Sequence, residues 1–249
     1  MSGHSKWATT KYRKGAQDKA RAKIFAKCIR LVEVAAREGG GDLEANATLR
    51  TAYQKARAAS VPLDTIEKAI KRGTGDLEGV RYEAINYEGY GPGGVAIMVE
   101  TLSDNRNRTG AEMRNLFSRN GGNMAEPGAV GWQFERKGIV TLALTQDEDA
   151  IMEVAMEAGA EDLSSNGEAW VVTSAPGDAD VVRKALEEAG ISPVSVDLSL
   201  EPTSLVAVPD EGEAKRVLRL LEAIDDHDDV QAVHANADIA DEVLAAFEG

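Results

Sequence analysis

The chain has 249 residues, with 28 lysines and arginines against 42 aspartates and glutamates, three histidines and one cysteine. That length leads us to expect two or three domains, and no run of about 18 apolar residues is present to span a membrane. Cys28 has no cysteine to pair with, which fits a reducing compartment such as the cytoplasm, and the scattered His4, His227 and His234 argue against a structural zinc site.

A net charge of −14 taken alone argues against a nucleic-acid partner. The charge is divided, however. Residues 1–80 carry 16 basic and 9 acidic side chains, whereas residues 81–249 carry 12 and 33. Within residues 1–30, Lys6, Lys11, Arg13, Lys14, Lys19, Arg21, Lys23, Lys27 and Arg30 face Asp18 alone, with Trp7 and Tyr12 among them. Cations meet phosphates and aromatics stack on bases, so this segment reads as a nucleic-acid-binding arm on an acidic body. A basic, acid-poor start is also how organellar presequences read, but those favour Ser and Arg over Lys.

In chain order, residues 16–38 are predicted helical, with Ile24, Cys28, Leu31, Val32 and Ala35 forming one apolar stripe that makes Cys28 a core residue. Gly39-Gly40-Gly41 ends this helix, and a second covers about 44–60. Asp64-Thr65-Ile66-Glu67 has capping-box spacing after Pro62 and starts a short third helix ending near Gly73. The sequence then changes period. Strands are predicted at 82–88 and 94–102 around the glycine-rich turn 89–94, then a helix capped by Asp104 or Asn105 and a strand at 129–135. A compact βαββαβ series follows: strand 139–144, helix 147–158, strands 160–164 and 169–174, helix 178–189, strand 194–200. Strand 204–208, helix 211–224, strand 229–235 and a helix at 239–247 close the chain. The expected architecture is α+β: an N-terminal three-helix module followed by two ferredoxin-like α/β domains, the last inserted into the second. The boundaries are 1–78, 79–136 with 202–249, and 137–201.

Chemistry-bearing constellations are few. Gly91-Pro92-Gly93-Gly94 joins two strands and lacks the Gly-Lys-Ser/Thr of a phosphate loop. Arg106 and Arg108, at a predicted helix N-terminus, are candidates for anion or RNA-backbone contact. Acylphosphatases also use arginine and asparagine on a ferredoxin-like fold, but no nucleophile or general base accompanies this pair. Asp225-Asp226-His227-Asp228-Asp229 reads as a solvated acidic loop that keeps nucleic acid off its face. No catalytic set, cofactor, metal, membrane or small-molecule substrate is expected.

Gly3-His4-Ser5-Lys6-Trp7, Gln17-Asp18-Lys19, Pro62-Leu63-Asp64 and Ala69-Ile70-Lys71-Arg72-Gly73 resemble the YebC family, bacterial relatives of a mitochondrial translational activator. So do Tyr87-Glu88-Gly89-Tyr90-Gly91-Pro92-Gly93-Gly94, Asp104-Asn105-Arg106-Asn107-Arg108-Thr109 and Gly121-Gly122-Asn123. The resemblance spans essentially the whole chain and starts with its first residues, against a targeting peptide. Tyr12 departs from the pattern, standing where His is common. Thr10, Ala47 and Met124-Ala125 depart as well. The resemblance implies a three-domain cytoplasmic protein described as a DNA-binding transcriptional regulator. The alternative it implies is a ribosome- or RNA-associated translation factor.

Overall fold

The computed structural model describes residues 18–165, 167 and 169–248. They form an α+β fold of two compact units, one of residues 132–205 and one of residues 18–131 with 206–248.

The larger unit begins with three helices: α1 (Asp18–Gly39), α2 (Ala47–Ala58) and α3 (Leu63–Thr74). The apolar spacing of α1 puts Cys28, Val32, Ala35 and Ala36 on one face, where they meet Leu49, Ala52 and Ala56 of α2 and Ile66 and Ala69 of α3. Ile24, predicted on the same stripe, is instead half exposed. Asn46 fastens α1 to α2. Its Oδ1 accepts from the Leu49 N–H (3.0 Å) while its Nδ2 donates to the Ala35 and Gly40 carbonyls (both 2.8 Å). Helix α3 starts one residue before the predicted box: Pro62 is the N-cap and no side chain caps the helix. It also runs past Gly73 to a left-handed Gly75. Gly73 lies inside the helix at its crossing with α1, where a Cβ would strike the Glu33 carbonyl oxygen and lie 2.7 Å from the Ala36 Cβ. The same crossing carries an ion pair between Glu33, itself buried, and Arg72 (2.9 Å).

Strands β1 (Glu83–Tyr90) and β2 (Ala96–Ser103) form the expected antiparallel hairpin, followed by helix α4 (Arg106–Arg119). The strand expected at 129–135 forms differently. A three-residue β3 (Asn123–Ala125) pairs with β1 at Glu88–Tyr90, and residues 126–131 stay out of any ladder. Glu88 is the cause. Its buried carboxylate accepts the N–H groups of Gly128 (2.7 Å), Val130 (2.6 Å) and Gly131 (2.8 Å), so these donors cannot join a strand ladder. Burial pushes the Glu88 carboxyl up, but the three backbone hydrogen bonds outweigh it and hold the group below its ordinary range. A carboxamide offers one acceptor oxygen for three donors, so Glu88→Gln should cost about 2 kcal/mol. Urea unfolding should register that loss, with faster amide exchange at Gly128, Val130 and Gly131.

Strand β4 (Phe134–Ala143) opens the smaller unit, which continues as α5 (Glu148–Glu157), β5 (Ala160–Ser165), β6 (Ala169–Ser174), α6 (Ala179–Glu188) and β7 (Ser195–Pro202). The sheet is antiparallel with spatial order β5-β6-β4-β7, the ferredoxin-like arrangement read from the βαββαβ sequence. Val140, Leu142, Ile151, Val172, Val182 and Leu186 fill its core.

The chain then returns to the larger unit through β8 (Val206–Ala207), α7 (Glu211–Asp225), β9 (Val230–Ala235), β10 (Ala237–Asp238) and α8 (Asp241–Glu248). Strand β9 pairs antiparallel with β2, giving the sheet order β3-β1-β2-β9. The predicted strand at 204–208 shrinks to two residues that pair in parallel with β10, outside the four-stranded sheet. Helices α4 and α7 pack on one another, burying Met113, Phe117, Val217, Leu221 and Ile224. β2 is buried on both faces except for Glu100, as a central strand should be.

Candidate nucleic-acid interface

The basic stretch of α1 is built by helical spacing. Lys23, Lys27 and Arg30 stand at i, i+4 and i+7, a run of neighbouring positions on one side of the helix. All three meet the acidic segment that begins at the last residue of α7. Lys23 Nζ donates to the Asp226 carbonyl (3.0 Å) and carboxylate (3.1 Å), and Lys27 Nζ to the Asp225 carbonyl (2.9 Å) and carboxylate (3.2 Å). Arg30 Nη1 reaches the Asp228 carbonyl (2.5 Å) and Asp229 Oδ1 (3.0 Å), with its guanidinium 5.3 Å from the Tyr82 ring centroid.

Asp229 is the centre of this cluster. It is 3% exposed. Its second oxygen, Oδ2, accepts from Arg108 Nη2 and from the Thr109 hydroxyl, both at 2.7 Å. With the Thr109 proton committed there, Ser103 donates to Thr109 at 2.6 Å and its own oxygen accepts the Asn105 N–H. The Asp229 carbonyl accepts from the Leu102 N–H of β2 (2.8 Å), so one residue ties α1, α4 and the central strand together. Burial raises the Asp229 carboxyl, but the hydrogen bonds from Thr109 and Arg108 and the charges of Arg108 and Arg30 prevail and hold it below the usual carboxylate range. The expectation of a solvated acidic loop is therefore corrected at its last residue, because cations on two helices converge on this carboxylate and pay its desolvation. His227 in the same segment accepts the Asp229 N–H at Nδ1 (3.1 Å), which leaves its proton on Nε2 facing Glu112 (2.8 Å). Among the described residues, no group of three or more His, Cys, Asp or Glu is placed to hold a metal ion.

The other candidate positions are distributed as follows. Lys6, Trp7, Lys11, Tyr12, Arg13 and Lys14 lie outside the described residues, as do the side chains of Lys19 and Arg21, whose backbone opens α1. Arg106 and Arg108 engage different partners. Arg108 is taken by Asp104 (2.8 Å) and Asp229, whereas Arg106 pairs with Glu83 (3.1 Å) with both side chains more than half exposed. Helix α4 also exposes Arg114 and Arg119, neither of which has an ion pair among the described residues. Sequence reasoning missed Asp229, Glu88 and Asn46. Only Asn46 had a local signal, an Asn three residues before Leu49 at the start of a helical period. Cys28 is buried as expected, and that burial pushes its thiol up despite the charge of Lys55.

Two family models match the chain: one described as TACO1/YebC protein N-terminal domain over residues 5–76, and one as TACO1/YebC second and third domain over residues 82–237. A protein of Halothermothrix orenii named probable transcriptional regulatory protein is 51% identical over 247 residues, covering 98% of each chain. One of the same name from Nocardia farcinica is 52% identical over 250 residues, covering all of this chain and 99% of its own. The crystal structure of a conserved hypothetical protein from Aquifex aeolicus superposes with a TM-score of 0.88 at 42% identity, covering 96% of this chain and 99% of that one.

Proposed function

The chain belongs to the TACO1/YebC family, and from that premise we propose that it is a non-enzymatic, nucleic-acid-binding regulator of gene expression acting in the cytoplasm. The observation that carries this reading is the division of charge. A net-positive first 80 residues precedes a strongly acidic remainder, and its cations continue from the arm onto one side of α1. We read the chain as three domains, 1–78, 79–136 with 202–249, and 137–201, the first being the one that grips nucleic acid. The relatives' name, probable transcriptional regulatory protein, supports transcription as the process, and we take duplex DNA as the partner for this reading. No helix among the described residues is long and apolar enough to cross a membrane. The arginine pair that invites comparison with acylphosphatases is split between Glu83 and Asp229, so it offers no shared phosphate cradle.

A second reading, ribosome- or RNA-associated translational control, is favoured by where the cations sit. A duplex reader needs base-reading side chains fixed on an element that enters a groove. Here the cationic side of α1 is engaged by aspartates, and the remaining basic residues of the arm precede or open the helix. Such an arm suits folded or single-stranded RNA.

One salt titration tests both readings, with a duplex DNA, a single-stranded RNA and ribosomes as probes. Replacing Lys6, Lys11, Arg13 and Lys14 by Ala should flatten log K against log salt by about 0.7–0.9 per lost phosphate contact. An unchanged slope places the binding site away from the arm. For the second reading, we expect weak binding to random duplex near physiological salt together with co-sedimentation with ribosomes. Sequence-selective duplex binding without ribosome association restores transcription.

A further inference from the structure

We propose that the aspartate segment 225–229 is a built-in competitor for nucleic acid, holding the cationic side of α1 in a closed state that a phosphate backbone must displace. This rests on the reading of the basic N-terminal region as the nucleic-acid-binding part.

The pairing is matched residue by residue. Lys23, Lys27 and Arg30 meet Asp226, Asp225 and Asp229 respectively, at 3.1, 3.2 and 3.0 Å, across about 200 residues of chain. Each cation also takes a main-chain carbonyl of the same segment. Closed in this way, the helix presents oxygen-bound cations, which is the state a phosphate backbone would otherwise produce.

Opening disturbs little else. The core of the helical module is made only of residues from α1 to α3 and the turns between them, so α1 keeps its packing when the aspartates leave. Asp229 retains Arg108 and Thr109 after Arg30 departs, so no buried carboxylate is stranded on the body. The outermost pair, Lys23 with Asp226, is largely exposed on both sides and therefore weak and sensitive to salt. A polyanion that supplies several phosphates and releases counterions outcompetes such pairs, whereas an isolated anion does not. The closed state thereby lowers the apparent affinity of this side of α1 for a polyanion, because only the competent fraction counts toward affinity.

Zero-length carbodiimide coupling of the full chain reads the closed state directly, since it joins a lysine amine to a carboxylate in contact with it. Mass spectrometry should find Lys23–Asp226 and Lys27–Asp225 amides in the free protein. A 20-nucleotide polyuridine RNA, titrated at constant ionic strength, should lower their yield at least fivefold at saturation. The D225N/D226N/D228N variant should bind the same RNA roughly tenfold more tightly, as expected for the loss of the two carboxylates that pair with Lys27 and Lys23 and of one neighbouring negative charge. A charge-matched control on the smaller unit, E153Q/E157Q/E188Q, should gain less than about twofold from its altered net charge alone. Bound RNA with undiminished cross-links overturns the competitor and leaves the nucleic-acid reading standing, as does an equal gain from the two triple variants. Absence of binding to this RNA and to a duplex DNA, by wild type and by D225N/D226N/D228N alike, sinks that reading, and the competitor with it.

Discussion

Replacing Asp229 by alanine is expected to destabilise the larger unit by about 3 kcal/mol, because a buried carboxylate that satisfies three donors is lost at once. The loss is not the largest such a site can give. Arg108 is half exposed and Arg30 partly so, and both rehydrate when freed; Thr109, fully buried, does not. Asp229→Asn keeps the shape but not the charge and should cost about half as much. The effect depends on pH in a fixed direction. Because the native carboxyl sits below its unfolded value, its contribution is complete above pH about 4 and fades as pH falls through the depressed native pKa. Glu88 titrates in the same direction. Urea melts at pH 7 and pH 3 should therefore show wild type losing stability on acidification, and Asp229→Asn losing less of it.

Gly73→Ala is expected to cost about 3 kcal/mol, the upper end of ordinary overpacking, because the new methyl meets backbone and not a side chain that can swing aside. The Glu33 carbonyl belongs to the middle of α1, so relief requires α1 and α3 to separate along their crossing, and the Glu33–Arg72 pair with it. Gly75, two residues on, is the internal control. It has φ +89° and nothing within 4 Å of a built Cβ, so Gly75→Ala meets only the left-handed backbone penalty, about 1–2 kcal/mol. Circular dichroism melts of the two variants should rank Gly73→Ala as the less stable. The reverse order would place the tight point of the module elsewhere.

Much of the fold was legible because period reports burial. The 3.6-residue spacing of Cys28, Val32 and Ala35 and the alternation through the βαββαβ stretch each describe one buried face, and those elements formed where expected. Legibility failed where a distant residue decides the outcome. Val130 and its neighbours read as strand until a carboxylate some 40 residues earlier captures their N–H groups. The two-residue β10 carries too little pattern to see. The candidate site divides in the same way. Lys23, Lys27 and Arg30 announce a cationic side by spacing alone, but nothing near them says that aspartates at 225–229 face it. Read locally, that run is simply hydrophilic, and its last carboxylate is buried only because Arg30, Arg108 and Thr109 arrive from elsewhere in the chain.

The placement of β9 beside β2 has a consequence for synthesis. Residues 96–103 emerge early, yet the strand that covers their open edge emerges only after the whole smaller unit. The helical core needs nothing beyond α3, and the sheet of the smaller unit is complete with β7, so both can close while the chain is still growing. During that interval β2 waits with one row of hydrogen-bonding groups bare and an apolar run unprotected. A nascent chain that stalls before Val230 is thus primed for intermolecular strand pairing, and the emergence of residues 230–235 is what removes the hazard.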